Sequence, residues 1–368
     1  MKVLQVINSL SSGGAEKLVT DLCIAYQKQG VDVELALLNG QQTAFMERLV
    51  RIDPNIKIHV LGDGGDMYSP KHIFKLRKLL NQYDIVHVHL FPSFYWVGFA
   101  TFLGNTRAKL FYTEHNTTNR RRNHTLLKHI DKIIYKRYTK IISISDAVHK
   151  NLQEHLGGLK NLVFQINNGI DLKEVNSAKP YDKPELGFDE NAILLLQVSS
   201  FTPQKDQKTL IQSLLHLPES TQLILVGDGP LRTEQEKLAD SLKLSDRVHF
   251  YGLRNDVPRL LKTVDVVILS SNFEGLSLSC VEGLASGKPF MAADVPGLTE
   301  VVQGHGILFP KGDHKSLALN ITKLLENEEH YKTTVEKCMA RSKDFDIEDM
   351  VKGYLQSYTK ALKSKEEH

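Results

Sequence analysis

Two glutamates in the second half of the chain could bind a polar ligand. Glu274 and Glu282 lie within residues 270–289, where an apolar run ends, a turn rich in serine, asparagine and glycine follows, and a helical pattern begins. A carboxylate about two turns into a helix can point back along one face toward the helix start. Glu282 therefore suits a bidentate hydrogen bond to a ribose diol, and Glu274, on the turn, suits sugar hydroxyls.

The turn between the two glutamates has the features of a phosphate site. Gly275 lets the backbone approach a ligand closely, and we expect a helix to begin near Leu276 or Ser277. The first N–H groups of a helix lack partners within the helix, and its dipole is positive there, so such positions attract phosphate. We therefore expect a diphosphate against Gly275, Leu276 and Ser277.

The spacing of the two glutamates resembles the Glu-x7-Glu motif of the large retaining GT-B glycosyltransferase family, which includes many bacterial polysaccharide and lipopolysaccharide transferases. Residues 272–275, 287–289 and 294–300 also look like that family. Two glutamates alone would fit solvated residues beside an ordinary helix. The spacing, the glycines and the terminal glutamate agree together, so the segment favours a functional site.

The resemblance implies a fold and a reaction. The expected α/β fold, GT-B, has two Rossmann-like, doubly wound parallel-sheet domains that face each other across a cleft. The family transfers a sugar from a nucleoside-diphosphate sugar to an acceptor hydroxyl with retention of configuration, assisted by the leaving phosphate. We expect a UDP-linked donor and a glycan or lipid-linked acceptor in the synthesis of cell-surface polysaccharide or glycolipid.

Lys205 follows an apolar run and precedes a helical pattern, where a lysine can neutralise a leaving diphosphate. The family usually carries an arginine and a lysine in this loop, and the arginine position corresponds to Ser200. Either another basic residue replaces that arginine or the donor is held more weakly. The alternative for Lys205 is a solvated lysine that caps a turn.

Two further turns of this half resemble donor-binding turns of the family. Gly229 lies in a tight strand-to-helix turn that the resemblance places near the donor phosphates, although any such turn uses glycine. The resemblance also implies that backbone groups around Leu253 and Arg254 read the base edge. The alternative for Arg254 is a surface salt bridge with Asp256.

The first half carries the candidate acceptor side. Gly13 and Gly14 follow the first apolar run and open a helical pattern without a Gly-x-Gly-x-x-Gly fingerprint, so a dinucleotide cofactor is disfavoured. The resemblance places this loop at the cleft, against the donor diphosphate and the acceptor. His115, at the end of another strand, resembles the cleft histidine of the family, which lies near the transferred sugar.

His87 and His89 alternate along a strand and could resemble a metal pair. We expect one of them on each side of the sheet, and the sequence offers neither a third ligand nor a carboxylate cluster. It also has no Asp-x-Asp motif suited to a metal–diphosphate complex. We therefore expect no metal, and no cofactor apart from the nucleotide sugar as co-substrate.

Residues 119–140 carry eight basic residues against one acid, with apolar residues at helical spacing. This segment either docks on an anionic membrane surface, where a lipid-linked acceptor would reside, or packs as a core-facing helix with a solvated basic edge. Nucleic-acid binding has neither a stacking platform nor a motif to support it, so no nucleic acid is expected.

Composition is consistent with this interpretation. A chain of 368 residues exceeds what one hydrophobic core usually supports, and a net charge of +3 is too small to argue for nucleic acid. Three well-separated cysteines predict neither a disulfide framework nor a zinc site. Because no signal peptide or membrane-spanning run is evident, we expect a cytoplasmic protein, with peripheral contact at the inner face of the membrane if the basic segment docks there.

Short apolar runs alternate with helical patterns in two series, which predicts two parallel sheets covered on both faces. The expected domains are residues 1–172 for the acceptor and 173–345 for the donor, with the last helix, 346–368, packing back on the first domain and a linker at 171–186. The expected strands are 3–7, 33–38, 56–60, 85–88, 110–113, 141–144, 163–166, 193–198, 222–226, 248–251, 266–269, 289–292 and 307–309.

Two other functions stay open at this stage. A nucleotide-sugar 2-epimerase shares the architecture and the donor, but it would need additional acid and base carboxylates that the sequence does not identify. A noncatalytic sugar-nucleotide-binding subunit would explain the serine at position 200, where the family has arginine.

Overall fold

The computed structural model describes residues 1–11, 13–62, 66–116 and 125–363. It divides into a first unit, residues 1–169 with 347–368, and a second unit, residues 170–346. Each unit contains one parallel β-sheet with helices in the connections. The predicted α/β class with two doubly wound parallel sheets is therefore confirmed.

The sheet of the first unit has seven strands in the order β3-β2-β1-β4-β5-β6-β7, so the strand order reverses between β1 and β4. The strands are β1 (Lys2–Ile7), β2 (Asp32–Leu37), β3 (Ile58–Val60), β4 (Ile85–His89), β5 (Lys109–Glu114), β6 (Lys140–Ser143) and β7 (Val163–Gln165). The helices are α1 (Gly14–Lys28), α2 (Ala44–Ile52), α3 (Lys71–Leu80), α4 (Ser93–Ala100), α5 (Thr125–Tyr135), α6 (Asp146–Leu156) and α15 (Ile347–Lys363).

The sheet of the second unit has six strands in the order β10-β9-β8-β11-β12-β13, and its order reverses between β8 and β11. The strands are β8 (Ile193–Val198), β9 (Thr221–Val226), β10 (Val248–Gly252), β11 (Val266–Leu269), β12 (Phe290–Asp294) and β13 (Ile307–Pro310). The helices are α7 (Leu172–Ser177), α8 (Gln207–Ser213), α9 (Arg232–Ser241), α10 (Val257–Thr263), α11 (Leu278–Ala285), α12 (Thr299–Val302), α13 (His314–Glu326) and α14 (Glu328–Ser342).

Predominantly apolar runs explain why the central strands lie where they do. Every residue of β4 and of β11 is buried, as expected for strands with helices over both faces of a sheet. Polar side chains then fix several helix starts: Ser145 accepts the Val148 N–H at the start of α6, and Asp313 accepts the Ser316 N–H at the start of α13. Burial and capping together set the boundaries of these elements.

The last helix, α15, is part of the first unit although it follows the second unit in sequence. Its Tyr354 and Tyr358 are fully buried, and the Tyr26 hydroxyl of α1 donates to the Tyr358 hydroxyl at 3.0 Å. The ring of Phe111 on β5 lies 4.8 Å from the Tyr358 ring, centroid to centroid. Aromatic packing of this kind attaches α15 to the sheet.

The expected strands are all found, with ends shifted by a residue or two. The expected linker at 171–186 was wrong in part, because α7 lies within it and packs against α10 and α11. Asp171 caps this helix by accepting the Glu174 N–H at 3.0 Å, and Leu172 and Val175 are buried. Prolines and charges further along suggested a linker, but this cap and these two apolar residues form a helix.

Candidate functional site

Two loops meet where the strand order of the second sheet reverses. The loop after β8 and the loop after β11 lie side by side there, because β8 and β11 are neighbours. The Asn272 N–H donates to the Gln204 carbonyl at 2.7 Å, and the Gln204 side-chain amide donates to the Phe273 carbonyl at 2.9 Å. In open α/β sheets, ligands bind outside the strand ends at this reversal point.

Lys205 and Glu274 are brought together by these loops. The Lys205 ammonium forms an ion pair with Glu274 Oε1, and the Ser271 hydroxyl donates to the same oxygen at 2.6 Å. The Gln204 amide donates to Glu274 Oε2 at 3.1 Å. Only 5% of the Glu274 side chain and 15% of the Lys205 side chain are exposed. The carboxylate therefore holds the lysine in one position, with charge-assisted bonds on both oxygens.

The helix after this loop begins with its first N–H groups directed toward the loop. Ser277 is the residue before α11, so the helix begins at Leu278, slightly later than predicted. Within the described chain, the Ser277 side chain caps no helix N–H. Glu282 lies in the second turn and is only 5% exposed, so its carboxylate is not turned into bulk water. Gly275 and Leu276 lie between this helix start and Glu274.

Two glycines bring the loop after β9 against the loop after β8. A Cβ on Gly227 would lie 2.1 Å from the Ser199 carbonyl oxygen, and one on Gly229 would lie 2.5 Å from that of Phe201. Both glycines also have positive φ. Only glycine permits this close approach, which lines up Ser200 and Gly229 at the same end of the sheet as Lys205.

Arg254 and Leu253 follow β10 at the outer strand of the second sheet. Arg254 forms a bidentate pair with Asp256, at 2.8 Å and 2.6 Å, and this pairing lowers the pKa of Asp256. The surface salt bridge considered from the sequence is therefore present. Leu253 is 59% exposed. A role of this turn in reading a base stays a prediction.

The reversal point of the first sheet joins the loops after β1 and β4. The Asn8 side-chain amide donates to the Phe91 carbonyl at 2.8 Å, and its oxygen accepts from the Ser93 hydroxyl at 2.8 Å. The same β1 loop leads to Gly13, the residue before α1, and to Gly14, the first residue of the helix. The predicted glycine pair thus lies at a helix start in the first unit.

His115 directly follows β5, at the carboxyl end of the strand next to β4. Its Nε2 lies 3.0 Å from Nδ1 of His89, the last residue of β4. Burial lowers the pKa of His115 to about 4, so its ring is neutral at pH 7. The sequence pattern indicates His115 as a site residue, but this contact could not be predicted from it, because it arises from the adjacency of β4 and β5 in the sheet.

The expectation that His87 and His89 face opposite sides of the sheet was wrong. Their rings stack with centroids 4.5 Å apart, and both side chains are fully buried. Residues two apart in a strand point to the same face, since side chains alternate with a period of two. No group of three metal-binding side chains comes together among the described residues.

The basic segment 119–140 is described only in part, and Arg120, Arg121 and Arg122 lie outside the described residues. In its described part, α5 and the turn after it bury Ile134, Tyr135 and Tyr138. Lys128, Lys136 and Arg137 are exposed. The helix packs against the core and presents a basic edge, and none of the described helices is long and apolar enough to cross a membrane.

Comparison with known proteins relates both halves of the chain to glycosyltransferases. The sequence profile of the glycosyl transferases group 1 matches residues 178–339, and that of glycosyltransferase family 4 matches residues 12–174. The two halves of the chain thus match two glycosyltransferase families. The first match contains the Lys205–Glu274 pair and α11, and the second contains Gly13, Gly14 and His115.

This glycosyltransferase is similar to one relative over nearly its whole length and to another over part of it. It is 26% identical over 360 residues to an uncharacterized glycosyltransferase of Haemophilus influenzae, with 94% of this chain and 96% of the relative covered. It is 27% identical over 254 residues to a UDP-Gal:alpha-D-GlcNAc-diphosphoundecaprenol alpha-1,3-galactosyltransferase of Escherichia coli, with 63% of each chain covered.

Solved structures place the glycosyltransferase in the GT-B fold. The crystal structure of Anabaena Alr3699/HepE in complex with UDP-glucose superposes with a TM-score of 0.84 at 25% identity, covering 99% of this chain and 100% of that one. The crystal structure of WaaG, a glycosyltransferase involved in lipopolysaccharide biosynthesis, has a TM-score of 0.75 at 18% identity, covering 97% and 99%. The predicted GT-B architecture is confirmed.

Proposed function

We propose that this glycosyltransferase moves a sugar from a UDP-linked donor to an acceptor hydroxyl, with retention of anomeric configuration and without a metal ion. The acceptor is a glycan or a lipid-linked sugar in the synthesis of cell-surface polysaccharide or glycolipid. The observation that carries this proposal is the pairing of Lys205 with the buried Glu274 at the reversal point of the second sheet, next to the start of α11.

Lys205 and the start of α11 stabilise the departing diphosphate. Negative charge grows on the diphosphate as the glycosidic bond breaks, and a positive group already fixed in place stabilises that charge without reorganisation. Lys205 is such a group, because Glu274 holds its ammonium. The N–H groups at the start of α11 add partial positive charge beside Gly275, Leu276 and Ser277. Together they take the role that a metal ion has in other transferases.

Neighbouring residues bind the ribose, the sugar, the phosphates and the base of the donor. Glu282 binds the ribose diol, and Glu274 binds sugar hydroxyls with the oxygen that Lys205 does not occupy. Gly229 and Ser200 line the phosphates, and the backbone at Leu253 reads the base, while Arg254 stays with Asp256. A UDP donor is supported by the structure of the similar Anabaena protein, which is a complex with UDP-glucose.

The first unit supplies the acceptor side of the proposal. Gly13 and Gly14 form a helix start that can approach phosphate or an acceptor, and His115 contacts the transferred sugar. The basic edge of α5 provides peripheral contact with an anionic inner membrane surface, where a lipid-linked acceptor would lie. An acceptor of this kind is supported by the diphosphoundecaprenol substrate in the name of the similar Escherichia coli enzyme.

Binding of UDP to wild type and to Glu282→Gln tests the donor site. Hydrogen bonds to a charged group contribute roughly 1.5–3 kcal/mol, so the substitution should raise the Kd for UDP by about tenfold or more. The Kd for 2′,3′-dideoxy-UDP, which lacks the diol, should change little. Equal losses for both ligands would contradict the proposed ribose contact.

Turnover is tested with a panel of UDP-glucose, UDP-galactose and UDP-N-acetylglucosamine, first by thermal shift and then by release of UDP. Binding raises the melting temperature, so the panel identifies the preferred donor. Release of UDP supports a transferase. Interconversion of the sugar without stable transfer would support the 2-epimerase, and binding without turnover would support a noncatalytic subunit.

A further inference from the structure

The buried polar residues around His115 form a continuous hydrogen-bonded chain inside the first unit. His115 Nε2 lies 3.0 Å from His89 Nδ1, and His89 Nε2 lies 2.8 Å from Gln5 Oε1. Gln5 is on β1, His89 on β4, and His115 directly follows β5. His89 and Gln5 are 0% exposed, whereas His115 is partly exposed. The chain therefore runs from the core to the predicted site residue.

Chemistry fixes the direction of each hydrogen bond in this chain. An amide oxygen only accepts, so His89 Nε2 carries the hydrogen that is donated to Gln5 Oε1. A neutral imidazole has one N–H, and His89 is neutral because burial holds its pKa well below the ordinary value. His89 Nδ1 is then an acceptor, and His115 Nε2 must carry the hydrogen that it receives.

The Gln5 oxygen is the atom that contacts His89, at 2.8 Å, whereas the buried Gln5 amide nitrogen makes no hydrogen bond to the described residues. The Tyr358 hydroxyl of the C-terminal helix accepts from Tyr26 at 3.0 Å and lies 2.5 Å from His87 Nδ1. The bonds of His87 are therefore separate from those that join Gln5, His89 and His115.

We propose that His89 is a positioning residue that locks His115 in the tautomer with hydrogen on Nε2, so that His115 Nδ1 presents a lone pair to a hydroxyl of the bound substrate. This role rests on the proposed transferase function, whereas the tautomer itself does not. His115 then accepts a hydrogen bond and donates none from Nδ1. Its part in the reaction is to orient a substrate hydroxyl, not to protonate the leaving group.

The locked ring matters because an unsupported histidine divides its population between two tautomers and several orientations. Only one of these offers an acceptor at Nδ1, so the supporting bond removes the competing states before substrate binds. His87 provides the matched comparison. It is equally buried and stacks on His89, but its nitrogens contact Tyr358 and Thr113 instead of His115.

Nitrogen NMR of the full-length protein with 15N-labelled histidine tests the tautomer. Long-range proton–nitrogen correlations distinguish protonated from unprotonated ring nitrogens, and a His115→Gln sample assigns the signals. At pH 7 without ligand, we expect hydrogen on His115 Nε2 and none on Nδ1. Hydrogen on Nδ1, or on both nitrogens, would overturn the proposal.

Kinetics with the best donor of the UDP-glucose, UDP-galactose and UDP-N-acetylglucosamine panel test the positioning role. For His89→Phe we expect mixed His115 tautomers and a kcat lower by roughly 10- to 100-fold, the range known for supporting partners of metal-bound histidines. KM for the donor should stay near the wild-type value. His89→Gln restores both an acceptor and a donor, so it should recover most of the rate and the single tautomer.

The control variant is His87→Phe, which keeps an aromatic ring and leaves the bond between His89 and His115 in place. We expect it to lower stability but to leave the His115 tautomer and kcat unchanged. An equal loss of kcat in His87→Phe and His89→Phe would overturn the positioning role. If the tautomer is as expected and no donor is turned over, the transferase function fails while the tautomer assignment stands.

Discussion

The Lys205 ammonium is held by the buried Glu274 carboxylate across the boundary between β8 and β11, where the strand order of the second sheet reverses. Neither residue is close to the other in sequence, and both lie in loops that follow neighbouring strands. The pair is fixed further by Ser271 and Gln204, which donate to the same carboxylate. A lysine held in this way is positioned before any ligand arrives.

Replacement of Lys205 by methionine should remove most of the rate while the fold persists. Loss of one charge-stabilising group typically lowers kcat by about 100- to 1,000-fold, and we expect Lys205→Met in that range. The control is Lys208→Met, since Lys208 is exposed on the next helix and its substitution should leave kcat unchanged. Steady-state release of UDP measures both. A Lys205→Met enzyme with full kcat would rule out the proposed role.

Substitution of Ser200 by arginine should strengthen the binding of UDP. The Ser200 carbonyl accepts from the Gln207 amide at 2.9 Å, so the loop that carries Ser200 is held in place, and the serine side chain is partly exposed. An arginine there would add a bidentate donor for phosphate. We expect Ser200→Arg to lower the Kd for UDP by about tenfold, the effect of ~1.4 kcal/mol.

Ser200→Gln serves as the neutral control for that arginine, and it should leave the Kd for UDP near the wild-type value. The gain in Ser200→Arg should shrink at high salt, because an exposed charge is screened. Calorimetry at low and high salt measures both effects. If the arginine variant binds UDP no better than the glutamine variant, the diphosphate does not lie beside this loop.

Much of the fold could be predicted from the sequence because its central strands are predominantly apolar. Val266–Leu269 and Ile193–Val198 read as strands from composition alone, and the structure places both where predicted. The helix α7 was missed, because prolines and charges after it outweigh its Asp171 cap. Local signals locate elements well, whereas a short helix held by tertiary packing is harder to see.

The site was accessible only in part. Residue types and spacing singled out Lys205, Glu274 and His115, but their partners lie far away in sequence. Gln5 and His89 are 84 residues apart and meet because β1 and β4 are neighbours. The order of the strands in a sheet cannot be deduced from local composition, so these contacts could not be predicted. The placement of His87 and His89 on one face followed from strand geometry and was overlooked.

Three buried histidines make stability depend on pH. Burial lowers the pKa of His87 to about 3 and that of His115 to about 4, and it also holds the pKa of His89 well below its usual range. The unfolded chain takes up these protons near pH 6.5, so below that pH it binds more protons than the folded protein. Above pH 6.5 these histidines do not lower the free energy of unfolding. As the pH falls toward 4, each of them lowers the free energy of unfolding by about 1.4 kcal/mol per pH unit.

Urea unfolding between pH 7.5 and 5 checks this dependence. The free energy of unfolding should fall with pH in wild type, and it should fall less steeply in His87→Phe, which has one fewer buried histidine. Parallel curves for the two proteins would show that His87 does not contribute in this way. Acidic residues act in the same pH range, so the difference between the two curves is the quantity to compare.

Alanine substitutions at Gly297 and Gly304 distinguish the cost of backbone strain from the cost of a steric clash beside Glu274. Both have positive φ, +89° and +79°, but a Cβ on Gly297 would lie 2.2 Å from the Glu274 carbonyl oxygen, whereas one on Gly304 meets nothing within 4 Å. Gly304→Ala should cost about 1 kcal/mol from strain alone, and Gly297→Ala about 2–4 kcal/mol, because overpacking adds to the strain. Gly297→Ala should also displace Glu274 and weaken UDP binding, which Gly304→Ala should not. Urea unfolding and calorimetry measure the two effects, and equal losses in both variants would contradict the close approach at Gly297.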